Sequence, residues 1–351
     1  MPALIRYPPR SSPHQVPHHV STYRLAGVAT TLLAISLATF WLFTRGEPAL
    51  ILHHDWLPMS FLASLCILFC APLRSLSHSG RRRFIATLKR ISIGGLAESR
   101  DGRFGDIILA DALTSYAKVL ADLFVAGCMF LAPRTAATAH PDRSLGGSFV
   151  PLLVAVPSAI RLRQCLIEYS RVRKSPYNPS TGWGGQHLAN ALKYSTTFPV
   201  IILTTMLSRG PSGPGLRLAW FLASLVNSLY TFYWDVAKDW DLTLLDSKER
   251  ISPEYPTGLR RRTMFPTWTY YAVIAGDFVL RLTWAFRLGP GLTRLPDAET
   301  TVFFLQTLEV LRRWVWIFFR VETEFVRSSE SGLGVDDILM AETGLKYTDE
   351  D

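Results

Sequence analysis

The chain has 351 residues, of which 48% are apolar and 19% are charged, and its 37 Lys and Arg outnumber its 28 Asp and Glu for a net charge of +9. Soluble domains carry about 25% charged residues, so this composition argues against a solvated globule. The 20 Phe, 12 Tyr and 10 Trp argue against a disordered chain. A basic surplus in so apolar a chain is typical of the cytoplasmic loops of a membrane protein rather than of nucleic-acid binding. We therefore predict an all-α polytopic membrane protein with no nucleic-acid partner.

The first apolar run, residues 25–44, has no charged residue and has the length that crosses a bilayer. It is longer than the core of a signal peptide and no small-residue cleavage site follows it, so we expect a retained span. A second span follows at 56–73. Six further runs are long and apolar but carry ionisable residues, which predicts about eight transmembrane helices in all. These runs are 106–132, 149–169, 187–207, 216–245, 269–288 and 301–326.

The distribution of basic residues predicts how the chain is oriented. With a cytosolic N-terminus, the cytosolic segments hold 21 Lys and Arg and the opposite loops hold six, which places both termini in the cytosol. Residues 1–24 are expected to be a disordered cytoplasmic tail, in which His14, His18 and His19 offer a weak alternative as metal ligands. Residues 25–103 are expected to hold the first two spans and a basic cytoplasmic loop, and 328–351 an acidic tail.

Ten basic residues fall inside the predicted spans, where a charge costs about 2.5–3.5 kcal/mol and normally faces the interior of a helix bundle. Each of the last six spans has a polar stripe, and in most of them helical spacing places its residues on one face. Either these charges pair with one another and hold helices together, or they line a pathway whose surplus of Arg and Lys favours an anion such as phosphate. The stripes are Asp111 with Lys118 and Asp122, Arg161 with Arg163, Lys193 with Tyr194, Asp235 with Asp239, Arg281 with Trp284, and Glu309 with Arg312 and Arg313.

One pair of acids also allows an enzyme. Asp235 and Asp239 are four residues apart and would suit a divalent metal in a membrane-embedded phosphotransferase. The further acids and glycines that such an enzyme needs upstream are absent from the sequence. We therefore expect a protein that is not an enzyme and has no catalytic residue, metal site or cofactor.

Six runs then occur in order through the later part of the chain: LADALTS (109–115), RLRQCL (161–166), LKYSTTF (192–198), YWDVAKDW (233–240), DFVLRLTW (277–284) and LEVLRRWVW (308–316). Their order and spacing resemble the EXS-domain family, which contains the yeast ER-retention-defective protein and the xenotropic-retrovirus receptor, a phosphate exporter. The resemblance covers about residues 104–327. It implies that the last six helices form an EXS-type bundle that conducts phosphate.

Carried over by motif, the resemblance implies which side chains line the phosphate path. Arg281, Lys193, Tyr194 and the adjacent Arg312 and Arg313 would hold the phosphate, and a tryptophan would lie near a constriction. The full set is Asp111, Arg161, Lys193, Tyr194, Asp235, Asp239, Arg281, Trp284, Glu309, Arg312 and Arg313.

The sequence also departs from the exporters of this family. Ile167 and Glu168 stand where exporters carry a pair of arginines, and Thr114 stands where they often have asparagine. Exporters carry a long N-terminal domain that senses inositol polyphosphates, whereas only residues 1–24 precede the first span predicted here. We therefore do not expect such sensing within this chain.

The chain looks more like the short, Golgi-resident branch of the family. The resemblance implies a Golgi membrane protein, cycling with the ER, that returns luminal phosphate from glycosylation to the cytosol and helps to keep ER and Golgi proteins in place. Its expected partners are inorganic phosphate, membrane lipid and a second copy of the chain. An alternative is a sorting factor that retains Golgi glycosyltransferases, directly or through their adaptors, by means of its cytoplasmic tails.

Overall fold

The structure is a computed structural model that describes residues 18–97, 100–131, 146–174, 183–208, 213–245, 258–260, 262–288 and 298–330. Within these ranges the regular structure is helical and no strand occurs, as the sequence predicts. The α-helices found there are α1 (His18–Thr44), α2 (Pro48–His53), α3 (Trp56–Cys70), α4 (His78–Lys89), α5 (Arg100–Ser115), α6 (Ala117–Leu131), α7 (Gly146–Lys174), α8 (Gly185–Ser195), α9 (Thr197–Ser208), α10 (Pro214–Trp234), α11 (Thr267–Arg281) and α12 (Ala298–Glu330).

Within the described ranges, two helices contain a stretch that is long and apolar enough to cross a membrane, judged by length and composition. They are Val20–Thr44 within α1 and Phe149–Lys174 within α7. Helix α3 is also apolar but has only 15 residues. The later predicted spans carry more charge or are interrupted, so the count of about eight spans stays a prediction.

The two predicted tails overlap the helices at their inner ends. Helix α1 begins at His18, so residues 18–24 are helical rather than disordered, because no proline or glycine stands between Pro17 and Gly27 to end the helix. Helix α12 continues to Glu330, three residues into the predicted acidic tail. The rest of both tails, with His14, lies outside the described residues.

The chain forms two compact units, of which the first comprises Met1–Asp106 and Leu120–Leu152. Helix α1 packs along α3 in this unit. The Asp106 carboxylate accepts hydrogen bonds from Arg90 Nε at 2.9 Å and from the Ala97 N–H at 2.8 Å. These contacts tie α5 to the end of α4, and the hydrogen bonds from Arg90 to Asp106 raise the pKa of Arg90.

Arg81 closes the end of α3 in the first unit. Its side chain is buried, with the whole residue only 4% exposed. The guanidinium donates to carbonyl oxygens of the last turn of α3 and of the turn that follows, which have no partners inside the helix. The acceptors are Leu68 at 2.7 Å, Phe69 at 2.5 Å, Leu73 at 3.2 Å and Leu76 at 3.0 Å.

We expect Arg81→Gln to lower the melting temperature of the purified protein by on the order of 5 °C, because a hydrogen bond to a charged group contributes about 1.5–3 kcal/mol. Differential scanning fluorimetry in detergent measures the shift. Arg82→Gln is the matched control, since this neighbouring side chain is exposed, and it should shift the midpoint by about 1 °C or less. Equal shifts for the two variants would contradict the capping role of Arg81.

The second unit comprises Ile107–Val119 and Leu153–Asp351. Helix α10 packs against α8, α9 and α11, and α11 packs against α12. Trp220 Nε1 donates to Thr204 Oγ1 at 3.0 Å, and the Tyr230 hydroxyl donates to the Ala189 carbonyl at 2.8 Å, so α10 is joined to both α9 and α8. The buried apolar core of this unit contains Val236, Trp240, Leu242, Leu259, Tyr270, Ile274, Trp316 and Phe319.

Four of the predicted spans are interrupted. Helices α5 and α6 break at Tyr116, α8 and α9 break at Thr196, α10 continues as a π-helical turn (Asp235–Asp239), and α11 continues as a 3₁₀ segment (Thr283–Leu288). Pro199 accounts for the second break, because proline has no N–H to donate to the carbonyl four residues earlier and is tolerated only in the first turn of a helix. The break at Tyr116 means that Asp111, Lys118 and Asp122 do not lie on one continuous helix, so the predicted stripe of the third span is wrong.

Glu322 of α12 holds the segment that precedes α11. Its carboxylate accepts hydrogen bonds from the Met264 N–H at 2.8 Å and from the Tyr270 hydroxyl, and Oε2 lies 3.2 Å from the Arg260 guanidinium. Arg260 also donates to the Thr323 hydroxyl at 3.0 Å. Glu322 is 1% exposed, so this is a fully buried ion pair between the segment and α12.

Candidate anion-binding site

The eleven predicted site residues all lie in the second unit and in the described part of the chain. Most of them belong to two groups of charged side chains. The first cluster consists of Asp111, Arg161, Gln164, Lys193, Tyr194 and Asp239, and the second cluster consists of Asp235, Asp277, Arg281, Glu309 and Arg312.

Arg161 of α7 is at the centre of the first cluster. Its Nε lies 2.6 Å from Asp111 Oδ1 and donates to the Tyr194 hydroxyl at 3.1 Å, while Nη1 donates to Gln164 Oε1 at 2.6 Å. The Tyr194 hydroxyl in turn donates to Asp111 Oδ1 at 2.5 Å. The Arg161 and Asp111 side chains are each 5% exposed, so one buried network joins α5, α7 and α8.

Lys193 and Asp239 complete the first cluster with longer contacts. Lys193 Nζ lies 3.7 Å from Asp239 Oδ2. It also lies 4.5 Å from the centroid of the Tyr194 ring and 5.4 Å from that of the Trp234 ring, within the range of a cation–π interaction. The aromatic rings therefore provide much of the environment of this ammonium group.

The second cluster is tighter, because Arg281 and Arg312 share two carboxylates. Arg281 pairs with Asp235 and donates from Nε to Asp277 Oδ2 at 2.8 Å. Arg312 Nη1 lies 2.7 Å from Asp277 Oδ1 and 3.5 Å from Asp235 Oδ2. Arg312 also makes a bidentate contact with Glu309, from Nε to Oε2 at 2.8 Å and from Nη2 to Oε1 at 2.7 Å. Buried arginines are thus held by carboxylates from α11, α12 and the π-helical turn.

Arg313 differs from the other four cations of the site. Its Nε donates to the Ser115 hydroxyl at 2.9 Å, Nη2 lies 3.4 Å from Thr114 Oγ1, and its guanidinium lies 4.5 Å from the centroid of the Trp316 ring. Ser115 donates to Glu309 Oε1 at 2.6 Å. Among the described residues Arg313 has no carboxylate within ion-pairing distance, so its direct contacts are with neutral groups.

Asp277 is a site residue that the sequence analysis did not single out. It lies four residues before Arg281 on α11 and bridges Arg281 to Arg312. The signal was available, since an acid four residues before an arginine is a favoured helical pair and Asp277 opens the DFVLRLTW motif. With Asp277 included, five carboxylates face five cations in the described site, and the predicted surplus of cations is wrong.

Trp284 lies beside these clusters in the 3₁₀ segment after α11. Its Nε1 donates to the Ser228 hydroxyl at 2.8 Å, and its ring meets those of Trp220 and Phe221 edge to face at 5.6 Å and 5.7 Å between centroids. The Ser228 hydroxyl also lies 3.1 Å from the Arg281 carbonyl. These contacts fix Trp284 against α10, and its role near a constriction stays a prediction.

Several of the site's side chains lie where helices are interrupted, whereas those of α7 and α12 lie within continuous helices. Lys193 and Tyr194 are in the last turn of α8, Asp235 and Asp239 begin and end the π-helical turn, and Arg281 is the last residue of α11. Interrupted helices are tolerated in membranes where they line a cavity or are buried in protein, and in many transporters they form the solute site. Arginine forks and a lysine at such breaks can donate several hydrogen bonds to one tetrahedral oxyanion.

The alternative metal pair is divided between different cations. Asp235 contacts Arg281 and Arg312, whereas Asp239 faces Lys193, so a divalent ion would have to displace three positive charges. The described residues include no group of three or more His, Cys, Asp or Glu side chains that could hold a metal ion.

Comparison with known proteins agrees with the resemblance in the sequence motifs. The sequence profile of the EXS family matches residues 1–326. Protein ERD1 homolog 1 of Schizosaccharomyces pombe is 36% identical over 249 residues, which cover 70% of this chain and 64% of that protein. Protein ERD1 of Kluyveromyces lactis is 31% identical over 290 residues, covering 79% of this chain and 72% of that protein.

Human solute carrier family 53 member 1 is 26% identical over 344 residues, which cover 92% of this chain and 46% of the human protein. The chain therefore spans less than two thirds of the length of some of its relatives, including the S. pombe homolog. The profile match covers nearly all of the chain. This protein belongs to the EXS family.

Proposed function

We propose that this protein conducts inorganic phosphate across the Golgi membrane, from the lumen to the cytosol, and that it is a transporter or channel rather than an enzyme. The observation that carries the proposal is the largely buried set of five cations and five carboxylates in the second unit, several of which lie at interruptions of its helices. Replacing a buried ion pair with apolar residues is often neutral or stabilising. Stability alone therefore does not require a network of this size, which favours a role in binding.

Phosphate suits this site because its ionised oxygens can pair with the site's cations. Its ionised oxygens accept hydrogen bonds from Arg281, Arg312, Arg313 or Lys193, and arginine forks match tetrahedral oxyanions geometrically. The carboxylates balance the cations, so the bound anion is not held too strongly to leave. A human relative is named as a solute carrier, which agrees with a transport role.

The same proposal links transport to glycosylation and protein retention. Glycosyl transfer from nucleotide sugars leaves phosphate in the lumen, and its return to the cytosol would support continued glycosylation and the retention of ER and Golgi proteins. We place both termini in the cytosol, as the basic residues predict, and we expect the protein to act as a homodimer in Golgi membrane that exchanges with the ER.

Phosphate efflux from reconstituted liposomes tests the transport function. Liposomes loaded with phosphate and containing wild-type protein should release phosphate faster than protein-free liposomes. Arg313→Gln should reduce the initial rate about tenfold or more, because it removes the cation of the site that makes no ion pair among the described residues. The substitution breaks no ion pair among the described residues, so the variant should remain folded.

Arg327→Gln is the matched control, because this arginine of α12 is partly exposed and pairs with Asp241 at 3.1 Å outside both clusters. Its efflux rate should equal that of the wild type. Wild-type efflux no faster than from empty liposomes would contradict the transport function. Flux from the lumen of isolated Golgi vesicles, with and without the protein, tests the direction and the location.

A further inference from the structure

The Asp239 carboxylate is held more loosely than the other acids of the site. Its Oδ2 atom is buried and has no hydrogen-bond donor among the described residues. Lys193 Nζ is 3.7 Å away, beyond the 2.7–3.2 Å of an N–H···O hydrogen bond. Asp235, Asp277 and Glu309 instead accept short hydrogen bonds from arginines. A buried acceptor without a donor is uncommon in native proteins and calls for an explanation.

Lys193 has the complementary property. Its ammonium group is buried against the Tyr194 and Trp234 rings, and its hydrogens make no hydrogen bond within the described part of the chain. The first cluster thus contains a cationic donor and, beside it, an anionic acceptor, each with unused hydrogen-bonding capacity. A ligand that fits both must accept a hydrogen bond from Lys193 and donate one to Asp239.

Protonated oxyanions meet this requirement, and fully ionised ones do not. At neutral pH phosphate carries at least one P–OH group together with ionised oxygens, and arsenate carries the same groups. Sulfate is fully ionised and has only hydrogen-bond acceptors. If one of its oxygens accepts a hydrogen bond from Lys193, another faces the Asp239 carboxylate, and that contact is repulsive. A site that hydrogen-bonds a substrate hydroxyl rejects analogues that lack it.

We propose that Asp239 determines which oxyanion this protein carries, by accepting a hydrogen bond from the P–OH group while Lys193 donates to an ionised oxygen of the same phosphate. This rests on the proposed phosphate transport and adds its substrate class, the protonated tetrahedral oxyanions. A hydrogen bond to a charged group corresponds to a preference for phosphate over sulfate of about 10- to 100-fold.

Competition for phosphate uptake into proteoliposomes tests this role. Uptake of radiolabelled phosphate is measured against increasing unlabelled phosphate, arsenate or sulfate. For the wild type, arsenate should compete about as well as phosphate, and sulfate should require a concentration about 10- to 100-fold higher. Asp239→Asn presents an amide N–H to sulfate and should bring sulfate to within about threefold of phosphate, whereas Asp239→Glu keeps the acceptor and should keep the preference.

Asp241→Asn is the matched control, since it removes a carboxylate two residues away that is paired with Arg327 and lies outside both clusters. It should leave the preference unchanged. If Asp239→Asn improved competition by sulfate and by phosphate equally, Asp239 would act only through the repulsion of anions by its negative charge. The proposal would then be overturned. Loss of the preference in Asp239→Glu, or sulfate competing as well as phosphate in the wild type, would also overturn it while leaving phosphate transport intact.

A second measurement does not depend on transport. Phosphate and arsenate should raise the melting temperature of the wild-type protein at lower concentrations than sulfate, because a ligand stabilises the state that binds it. Equal stabilisation by phosphate and sulfate would contradict the role of Asp239 even if Asp239→Asn failed to fold. Absence of phosphate flux in the wild type would instead contradict the proposed function, and the selectivity proposal with it.

Discussion

Replacing Arg312 with glutamine is expected to prevent recovery of folded protein. Arg312 contacts Asp235, Asp277 and Glu309. The variant would leave the buried Asp235 and Asp277 with Arg281 as their one paired arginine, and the partly exposed Glu309 without its arginine. Removing one partner of a buried ion pair costs about 3–5 kcal/mol, which is comparable to the whole stability of many proteins. Size-exclusion chromatography of a fluorescent fusion and thermal unfolding measure the loss.

The adjacent Arg313 provides the control for this prediction. Its guanidinium contacts Ser115, Thr114 and the Trp316 ring but no described carboxylate. Arg313→Gln breaks no ion pair among the described residues and should therefore yield folded protein, with a melting temperature lowered by on the order of 5 °C through the lost hydrogen bond to Ser115. The two neighbouring arginines should differ sharply in stability although both are buried.

A second substitution tests whether the loss at Arg312 is electrostatic. Glu309 is the acid that Arg312 holds in a bidentate contact. The double variant Arg312→Gln with Glu309→Gln should recover part of the folded fraction, because one fewer carboxylate is left unpaired. Folding of Arg312→Gln as efficient as that of Arg313→Gln would show that the second cluster does not depend on this arginine.

Loss of the Glu322 carboxylate is the other change expected to have a large effect. Glu322→Gln leaves the buried Arg260 guanidinium without an acid and weakens the hydrogen bonds from Met264 and Tyr270. The expected loss is about 3–5 kcal/mol, seen as a marked fall in melting temperature. Phosphate efflux per folded molecule should stay close to the wild type, because these residues lie in neither cluster.

Glu324→Gln is the matched control on the same helix. Glu324 lies 3.3 Å from Arg320 one turn earlier, in a partly exposed pair, and such pairs contribute about 1 kcal/mol or less. The melting temperature should therefore change little. If Glu322→Gln and Glu324→Gln lowered the melting temperature equally, Glu322 would not anchor the segment before α11.

Much of the helical pattern could be predicted from apolar runs. The first run at 25–44 corresponds to α1, and the run at 301–326 lies within α12. The interruptions were harder, because a break is a local change in hydrogen bonding that leaves hydropathy unchanged. Pro199 predicts the break at Thr196. The residues around Tyr116 do not predict a turn, and those around Asp235 do not predict a π-helical turn.

The site could be predicted in its members but not in its pairing. Helical spacing indicates which residues share a face, and this placed Glu309 beside Arg312 correctly. It cannot indicate partners on other helices, such as Tyr194 with Asp111, 83 residues apart, or Ser115 with Glu309, 194 residues apart. The equal numbers of carboxylates and cations in the site depend on Asp277. This residue opens the DFVLRLTW motif but belongs to none of the polar stripes that helical spacing predicts.

The interruptions of α8, α10 and α11 have a mechanical consequence. Sharp changes of helix direction occur at such interruptions rather than along the length of a helix. Lys193, Asp235 and Arg281 are at or next to the interruptions. An anion that alters the contacts of these side chains therefore acts at the points where these helices can change direction.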